Sequence, residues 1–260
     1  MKLDMHVHSK YSHDGSMSAD KIISTALALG LDGVAVCDHD EFKAHTQLLS
    51  LAPPGFIVIP AVEYSTTAGH VLALFVSGLY ALKRDGRGLC RLLELRAAAD
   101  DDGALLVAAH PYRGRAEVPE ELFETVDGIE VRNSRDDARR GIHKSAGGRA
   151  NTHAALRRAA SRYGKFITGG SDGHISREIG ACYTALPRDT EKTPEGVRSA
   201  LISRLSDAAG AGGRLTDQAV GKLLRTKPRT LPKDVARLVF FAATDVAQAV
   251  RGGGRKTDSH

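Results

Sequence analysis

Two histidines near the start of the chain, His6 and His8, are separated by one residue in the segment 3–8 (LDMHVH). Alternate side chains of an extended strand point to the same face, so both imidazoles would lie on one side. Two neighbouring imidazoles followed by the carboxylate of Asp14 suit a divalent metal ion. A polar strand end with incidental histidines would show the same local pattern, so the later residues must decide between the two interpretations.

Four later segments also carry His, Asp or Glu where a predicted strand ends. Apolar runs over residues 33–37, 56–60, 104–109 and 165–168 are followed by His39, Glu63, His110 and the pair Asp172 and His174. The loops that follow the strands of a parallel α/β fold meet at one face, so these scattered residues are expected to converge. Each residue alone has another explanation, such as a helix cap or a turn. Together they favour a metal site.

Short apolar strands alternate with helical segments along most of the chain. The first helix is predicted over residues 18–29, with Ser18 as its N-cap and Gly30 at its end. This alternation predicts a mostly parallel sheet with the helices outside it. Because polar residues follow nearly every strand, we expect the sheet to close into a barrel.

The composition changes after Pro187. A further helix is predicted over residues 194–205, a linker with three glycines over 208–214, and a final helix over 233–251. Apolar residues of the final helix, such as Val235, Val239 and Val246, recur at helical spacing, which predicts packing on the barrel or on a partner. We therefore predict a catalytic barrel over residues 1–207. Residues 208–260 would form a linker and a C-terminal helical extension with a disordered tail.

Composition describes an ordinary globular protein of 260 residues with 42% hydrophobic and 26% charged residues. Three scattered cysteines do not form a disulfide framework, and neither a secretory signal nor a membrane-spanning stretch is visible, so a cytoplasmic location is expected. The net charge of +5 mildly favours anionic substrates. The basic stretch over residues 136–149 has almost no aromatic residue for base stacking, which favours a charged loop or helix over a nucleic-acid patch.

In combination, these motifs resemble the PHP (polymerase and histidinol phosphatase) family of metal-dependent phosphoesterases. The resemblance covers roughly residues 1–190 and is carried by His6-x-His8, Asp14-Gly15, Asp38-His39-Asp40, Glu63, His110-Pro111 and the segment 170–174 (GSDGH). It implies an α/β fold, a distorted seven-stranded β/α barrel of the PHP type with two or three divalent ions, which would be Mn²⁺, Fe²⁺ or Zn²⁺.

The resemblance also implies a division of the ligands among the ions. The first ion would be held by His6, His8, Glu63 and Asp172; the second by Glu63 as a bridge together with His70 and His110; and the third by Asp14, His39 and His174. Glu63, Asp172 and His174 are the residues predicted to act in catalysis. Asp14 lies six residues after His8, where family members often have five, and His13 is therefore a competing ligand.

The implied chemistry is hydrolysis of a phosphomonoester by metal-activated water, an activity of the phosphoric ester hydrolases (EC 3.1). A small nucleotide or a phosphorylated metabolite is the predicted substrate. Its phosphate would need cationic or polar contacts, for which Arg113, Asn133 and Arg135 are the candidates near predicted strand ends. The alternatives are a 5′-end exonuclease on short RNA or DNA and, from another class, a catalytically inactive metal-binding regulatory module. No membrane partner is expected, and the oligomeric state stays open.

Overall fold

The computed structural model describes residues 1–143, 152–223 and 231–253. The strands are Lys2–Val7 (β1), Gly33–Val36 (β2), Ile57–Thr66 (β3), Gly69–Leu74 (β4), Leu105–Ala108 (β5), Gly128–Asn133 (β6), Phe166–Gly170 (β7), Cys182–Ala185 (β8) and Asp207–Gly210 (β9). The helices are Ala19–Ala28 (α1), Ala44–Leu51 (α2), Leu92–Asp102 (α3), Glu120–Thr125 (α4), Ser134–His143 (α5), Thr152–Tyr163 (α6), Pro194–Ile202 (α7), Leu215–Leu223 (α8) and Leu231–Gly253 (α9).

The strands form one sheet that nearly closes into a barrel. Its order is β7-β6-β5-β4-β3-β2-β1-β8-β9. The segment after β7 returns to β1, where the amide of Asp172 donates to the carbonyl of His6 at 2.7 Å and the amide of His8 donates to the carbonyl of Gly173 at 2.8 Å. In the described part of the chain the sheet therefore has nine strands rather than the predicted seven, because β8 and β9 add an antiparallel pair beyond β1.

The sheet is mixed rather than mostly parallel. Neighbours β1–β2, β2–β3, β5–β6 and β6–β7 are parallel, whereas β3–β4, β4–β5, β1–β8 and β8–β9 are antiparallel. The reason lies in the connection between β3 and β4, where only Thr67 and Ala68 separate the strands. So short a turn allows an antiparallel hairpin, whereas a parallel pair needs a crossover connection.

Apolar side chains cover both faces of the sheet. Along β3, Ala61 belongs to a cluster with Leu3 and Leu201, whereas Val62 belongs to a second cluster with Leu95 of α3. This split follows the two-residue repeat of a strand, and it puts Glu63 on the same face as Ala61. The fold therefore holds a carboxylate at the edge of a buried apolar layer.

The first predicted helix is confirmed. The hydroxyl oxygen of Ser18 accepts a hydrogen bond from the amide of Lys21 at 3.3 Å, and α1 buries Ile22 and Ile23. Gly30 follows the helix with φ of +67°, a left-handed conformation that glycine adopts without a steric cost.

The C-terminal region contains more structure than the sequence predicted. Ala208–Arg214 was expected to be a linker, but residues 208–210 belong to β9, which pairs with β8. The final helix is confirmed and begins at Leu231. Its Val235, Val239 and Val246 are exposed, so they do not pack on the barrel as one of the two predictions required. The division at residue 207 stays a prediction, and the predicted disordered tail lies beyond the described residues.

Candidate metal centre

The predicted ligands converge at one end of the sheet. His6 lies near the end of β1 and His8 follows the strand, His39 follows β2, Glu63 lies within β3, His70 lies on β4, His110 follows β5, and Asp172 and His174 follow β7. His110 and Asp172 have positive φ angles of 30° and 55°, a conformation that non-glycine residues seldom adopt and that clusters at functional sites. The backbone at these two strand ends is therefore held in place by the surrounding contacts.

Glu63 lies at the centre of the site and is almost completely buried. Its Oε1 lies 2.8 Å from Nδ1 of His70 and 3.1 Å from Nε2 of His110. Its Oε2 lies 3.2 Å from Nε2 of His6, 3.2 Å from Nε2 of His8 and 3.3 Å from Nδ1 of His39. The two carboxylate oxygens thus face two different sets of imidazoles.

A second group surrounds His174. Its Nε2 lies 2.7 Å from Oδ2 of Asp14, and its ring centroid lies 4.2 Å from that of His8. Nε2 of His39 lies 3.7 Å from the same Asp14 oxygen. These four residues offer ligand atoms that all lie within 4.8 Å of one another. His13, the predicted competitor, is exposed beside the ring of His39 and belongs to no such group among the described residues.

Asp172 joins the remaining ligands. Its Oδ1 lies 3.4 Å from Nε2 of His8 and 3.9 Å from Nε2 of His6, and its Oδ2 lies 4.0 Å from Nε2 of His110. A guanidinium nitrogen of Arg113 donates to the same Oδ2. His6, His110 and Asp172 therefore form a further group that a single ion can contact.

Burial and charge divide the histidines into two classes. Burial lowers the pKa of His39 to about 4 and of His174 to about 4, and it lowers the pKa of His110 to about 3 with help from the Arg113 charge. Burial also opposes the charged form of His6 and His8. Even so, nearby carboxylates raise the pKa of His8 to about 9 and that of His6 well above its usual value. Burial disfavours the charged forms of Glu63 and Asp172 as well, but the positive groups around them hold both pKa values well below the usual range.

These atoms fit divalent cations. The Nε2 atoms of His6 and His8 face each other at 3.2 Å, although two such nitrogens cannot both present a lone pair there without repulsion. Nδ1 of His39 is buried and has no hydrogen-bond partner among the described residues. The donor set mixes imidazole nitrogen and carboxylate oxygen, which suits Mn²⁺, Fe²⁺ or Zn²⁺ better than an all-oxygen set would.

Three buried carboxylates support the ligands, and none of them was predicted as a metal ligand or a catalytic residue. Glu130 accepts hydrogen bonds from Nδ1 of His6 at 3.0 Å and from the amide of His110 at 2.8 Å. Asp38 accepts from the amide and the hydroxyl of Ser9, and Asp4 accepts from the amide of Ser171. Such partners fix the orientation of metal-binding imidazoles and of the backbone around them. The sequence signal that could have identified such residues is an acidic residue inside an apolar strand, such as Glu130 in the segment 128–131 (GIEV).

Comparison with known protein families shows which family the chain belongs to. The PHP domain family matches residues 4–103, and the PHP-associated family matches residues 148–204. The chain belongs to the PHP family. The matched segments carry every predicted ligand of the PHP site except His110, which lies between them.

Three curated proteins are similar to this chain over different lengths. An uncharacterized protein of Methanocaldococcus jannaschii is 28% identical over 147 residues, which is 52% of this chain and 82% of the relative. An error-prone DNA polymerase of Nocardia farcinica is 26% identical over 243 residues, 80% of this chain and 20% of the polymerase. A probable histidinol-phosphatase of Thermotoga maritima is 42% identical over 41 residues, 16% of this chain and 18% of that protein.

Solved structures show the same fold. A two-domain protein from Bacteroides vulgatus, described as containing a predicted PHP-like metal-dependent phosphoesterase, has a TM-score of 0.60 at 21% identity. The match covers 81% of this chain and 65% of that protein. PsfC from Pseudomonas syringae has a TM-score of 0.60 at 20% identity, with 93% of this chain and 98% of PsfC covered. This chain therefore spans about two thirds of the Bacteroides protein and a fifth of the polymerase.

The groups in the PHP site overlap the division of ligands implied by the resemblance, with three differences. His110 lies with His6 and Asp172. His8 lies close enough to join Asp14, His39 and His174. His39 groups with Glu63 and His70, whereas the predicted second set combines these two residues with His110. The assignment of individual ligands to individual ions remains a prediction, as do the catalytic roles of Glu63, Asp172 and His174.

The predicted substrate-binding residues lie in different settings around the PHP site. Arg113 and Arg135 line a cavity of about 370 Å³ together with His13, Asp14, His39, Ser65, His70, Asp172 and His174. Asn133 is buried and is not among the lining residues; its amide nitrogen donates to Glu130 at 2.9 Å and its oxygen accepts from Arg113 at 2.8 Å. Through these contacts Asn133 holds the guanidinium of Arg113 in place. A contact between Asn133 and substrate stays a prediction.

No helix in the described part of the chain is long and apolar enough to cross a membrane.

Proposed function

We propose that the chain hydrolyses phosphomonoesters of small molecules, such as nucleotides or phosphorylated metabolites, at the centre around Glu63. The proposal rests on the position of Glu63, whose two buried carboxylate oxygens face separate sets of imidazoles. A carboxylate in this position suits a bridge between two cations. When bound, divalent ions in such a site lower the pKa of a water molecule and neutralise phosphate oxygens.

The protein groups around the cavity complete the proposed site. Arg113 is fixed by Asn133 and Asp172 and lines the cavity, so it presents cationic donors next to the ligands. Arg135 lines the cavity beside His174, Asp14 and Asp172. Two guanidinium groups beside the metal ligands would bind phosphate oxygens by charge-assisted hydrogen bonds. The similarity to a probable histidinol-phosphatase supports a phosphomonoester as substrate.

A nuclease acting on a 5′ end is the second candidate. The similarity to an error-prone DNA polymerase extends over most of this chain and favours a strand of nucleic acid as the bound molecule. The nuclease would use the same metal ligands, but its scissile phosphate would be attached to a nucleic-acid strand rather than to a small molecule. An inactive regulatory module, the third possibility, would retain a site of converging buried charges without the reaction that uses it.

Turnover assays on metal-loaded protein separate the three. We expect Mn²⁺-loaded protein to release phosphate from p-nitrophenyl phosphate and to prefer mononucleotide bisphosphates or metabolites over oligonucleotides. Turnover of a small substrate should fall little with added salt, whereas cleavage of a strand bound through several phosphates would fall steeply. Oligonucleotide cleavage with a steep salt slope would favour the nuclease. Absence of turnover on all phosphoesters would favour the module.

A further inference from the structure

The first turn of α5 lies between the cavity and the C-terminal helix α8. On the cavity side, the hydroxyl of Ser134 donates to the carbonyl of Ser171 at 2.6 Å, next to Asp172. On the other side, the amide of Gly213 donates to the carbonyl of Ser134 at 3.0 Å, and Nε2 of Gln218 donates to the carbonyl of Arg135 at 2.8 Å. The backbone that carries Arg135 is therefore held from both sides.

The segment before α8 packs closely on this turn. A Cβ atom at Gly213 would lie 3.0 Å from the carbonyl oxygen of Ser134, and one at Gly212 would lie 3.1 Å from Cβ of Asp137. Gln218 is buried between the two helices. The contact is thus a tight backbone approach reinforced by a buried hydrogen bond, and it fixes α8 against α5.

The other C-terminal helix, α9, holds the start of α8. The carboxylate of Asp245 accepts hydrogen bonds from the amides of Leu215 and Thr216 at 3.1 and 2.8 Å, and from the Thr216 hydroxyl at 2.7 Å. An anion at a helix N-terminus satisfies amides that have no partner within the helix. A continuous path of contacts therefore runs from α9 through α8 to the backbone of Arg135.

Arg135 lines the cavity, and one of its guanidinium nitrogens is without a hydrogen-bond partner among the described residues. Its side chain is only 11% exposed, yet Nη1 makes no hydrogen bond with the described residues. The carboxylate oxygen of Glu178 lies 3.7 Å from this nitrogen, beyond hydrogen-bond distance. A buried guanidinium with a free donor beside a cavity is suited to an anionic ligand.

We propose that Gln218 is a positioning residue through which the α8–α9 hairpin aims Arg135 at the anionic group of the substrate. Gln218 fixes the carbonyl of Arg135, which fixes the backbone and so the direction in which the side chain leaves the helix. The C-terminal extension thereby contributes to substrate affinity without touching substrate. This inference rests on the proposed function, because it takes Arg135 as a contact of the substrate anion.

The test measures the binding of inorganic phosphate to the full-length, metal-loaded protein. Gln218→Met keeps an unbranched side chain of similar size and removes the donor. Because the loss of this hydrogen bond releases the backbone of Arg135, we expect the dissociation constant of phosphate to rise by roughly threefold or more. KM for p-nitrophenyl phosphate should rise more than kcat falls, and metal content should stay unchanged. Gln47→Met is the matched control, because Gln47 hydrogen-bonds the exposed Tyr11 hydroxyl, and it should leave phosphate binding unaltered.

A double-mutant cycle separates positioning from a general loss of structure. In an Arg135→Ala background, Gln218→Met should have no further effect on phosphate binding. Equal effects of Gln218→Met in the two backgrounds would overturn the inference, as would unchanged phosphate binding in Arg135→Ala alone. If Gln218→Met does not fold, Asp245→Asn is the second variant, because it weakens the contacts between α9 and α8 at the far end of the same path. Its effect on phosphate binding must likewise disappear in the Arg135→Ala background. Failure of the proposed function is a separate result, namely no phosphomonoester turnover by the metal-loaded wild type.

Discussion

The Nε2 atoms of His6 and His8 lie 3.2 Å apart, and both lie 3.2 Å from the same oxygen of Glu63. Without a cation, protons on these nitrogens would let both imidazoles donate to the Glu63 oxygen. The raised pKa values of both residues agree with that. A divalent ion needs unprotonated nitrogen, so ion and protons compete for the same atoms.

Metal binding should therefore release protons. In the metal-free site the raised pKa values of His6 and His8 favour their protonated forms, whereas the lowered pKa values of His39, His110 and His174 favour their neutral forms. We expect binding of ions at neutral pH to release protons from the first pair. Because the pKa of His8 is raised to about 9, apparent affinity should increase with pH up to that value. Calorimetry in buffers of different ionisation enthalpy measures the release. His153→Asn, outside the site, should not change it, and heat independent of the buffer would contradict the assignment.

Replacement of Glu63 should remove metal without unfolding the chain. Glu63→Gln keeps the shape of the side chain but removes the charge that both sets of imidazoles face. We expect loss of at least one ion per chain and of most turnover, with the circular dichroism spectrum retained. Elemental analysis and p-nitrophenyl phosphate assays check this, with the exposed Glu117→Gln as control. Full metal content at a normal rate would remove Glu63 from the site.

Removal of the ions should lower the melting temperature. Several carboxylates and imidazoles converge in the buried site, and ions that bind only the folded state stabilise it, by about 2.7 kcal/mol at a hundredfold excess over the dissociation constant. Thermal unfolding before and after chelation measures the difference, with the chelator already saturated with the bound metal as control. An unchanged melting temperature after verified removal of the ions would count against a shared site.

Arg113 and Arg135 should differ in their effect on metal content. Arg113 donates to Asp172 and orients this carboxylate, so Arg113→Ala should weaken metal binding as well as substrate binding. Arg135→Ala should leave the ions in place and raise KM by roughly tenfold for a substrate with a second anionic group. Metal analysis together with steady-state kinetics distinguishes the two. Equal metal loss in both variants would contradict the different contacts of the two arginines.

Most of the predicted ligands could be found in the sequence because they follow or end a recognisable apolar run, whereas His70, at the start of β4, was implied by the family resemblance. His39 and His110 are examples, since a β-rich segment leads directly into each. The strand order could not be predicted in the same way. β3 extends past Glu63 to Thr66, and the short turn to β4 reverses the direction of the chain there. β8 and β9 are too short, and β9 too poor in apolar residues, to be distinguished from loops without their pairing partners.

The supporting carboxylates were beyond sequence reasoning for a related reason. Glu130 accepts a hydrogen bond from His6, 124 residues away, and Asp4 accepts one from Ser171, 167 residues away. Inside an apolar run such residues contradict the local pattern, and only the closed sheet supplies their partners. The position of Arg135 likewise depends on Gln218, in a helix that the sequence did not predict.

The most direct test of the central claim is to follow turnover as metal is restored. Metal-stripped protein is titrated with Mn²⁺, and bound ions per chain and hydrolysis of p-nitrophenyl phosphate are measured on the same samples. Hydrolysis that is absent from the stripped protein, appears with bound metal and reaches its maximum at two or three ions per chain is the predicted result. Equal hydrolysis by the stripped protein, or a fully loaded protein that hydrolyses no phosphomonoester, would contradict it.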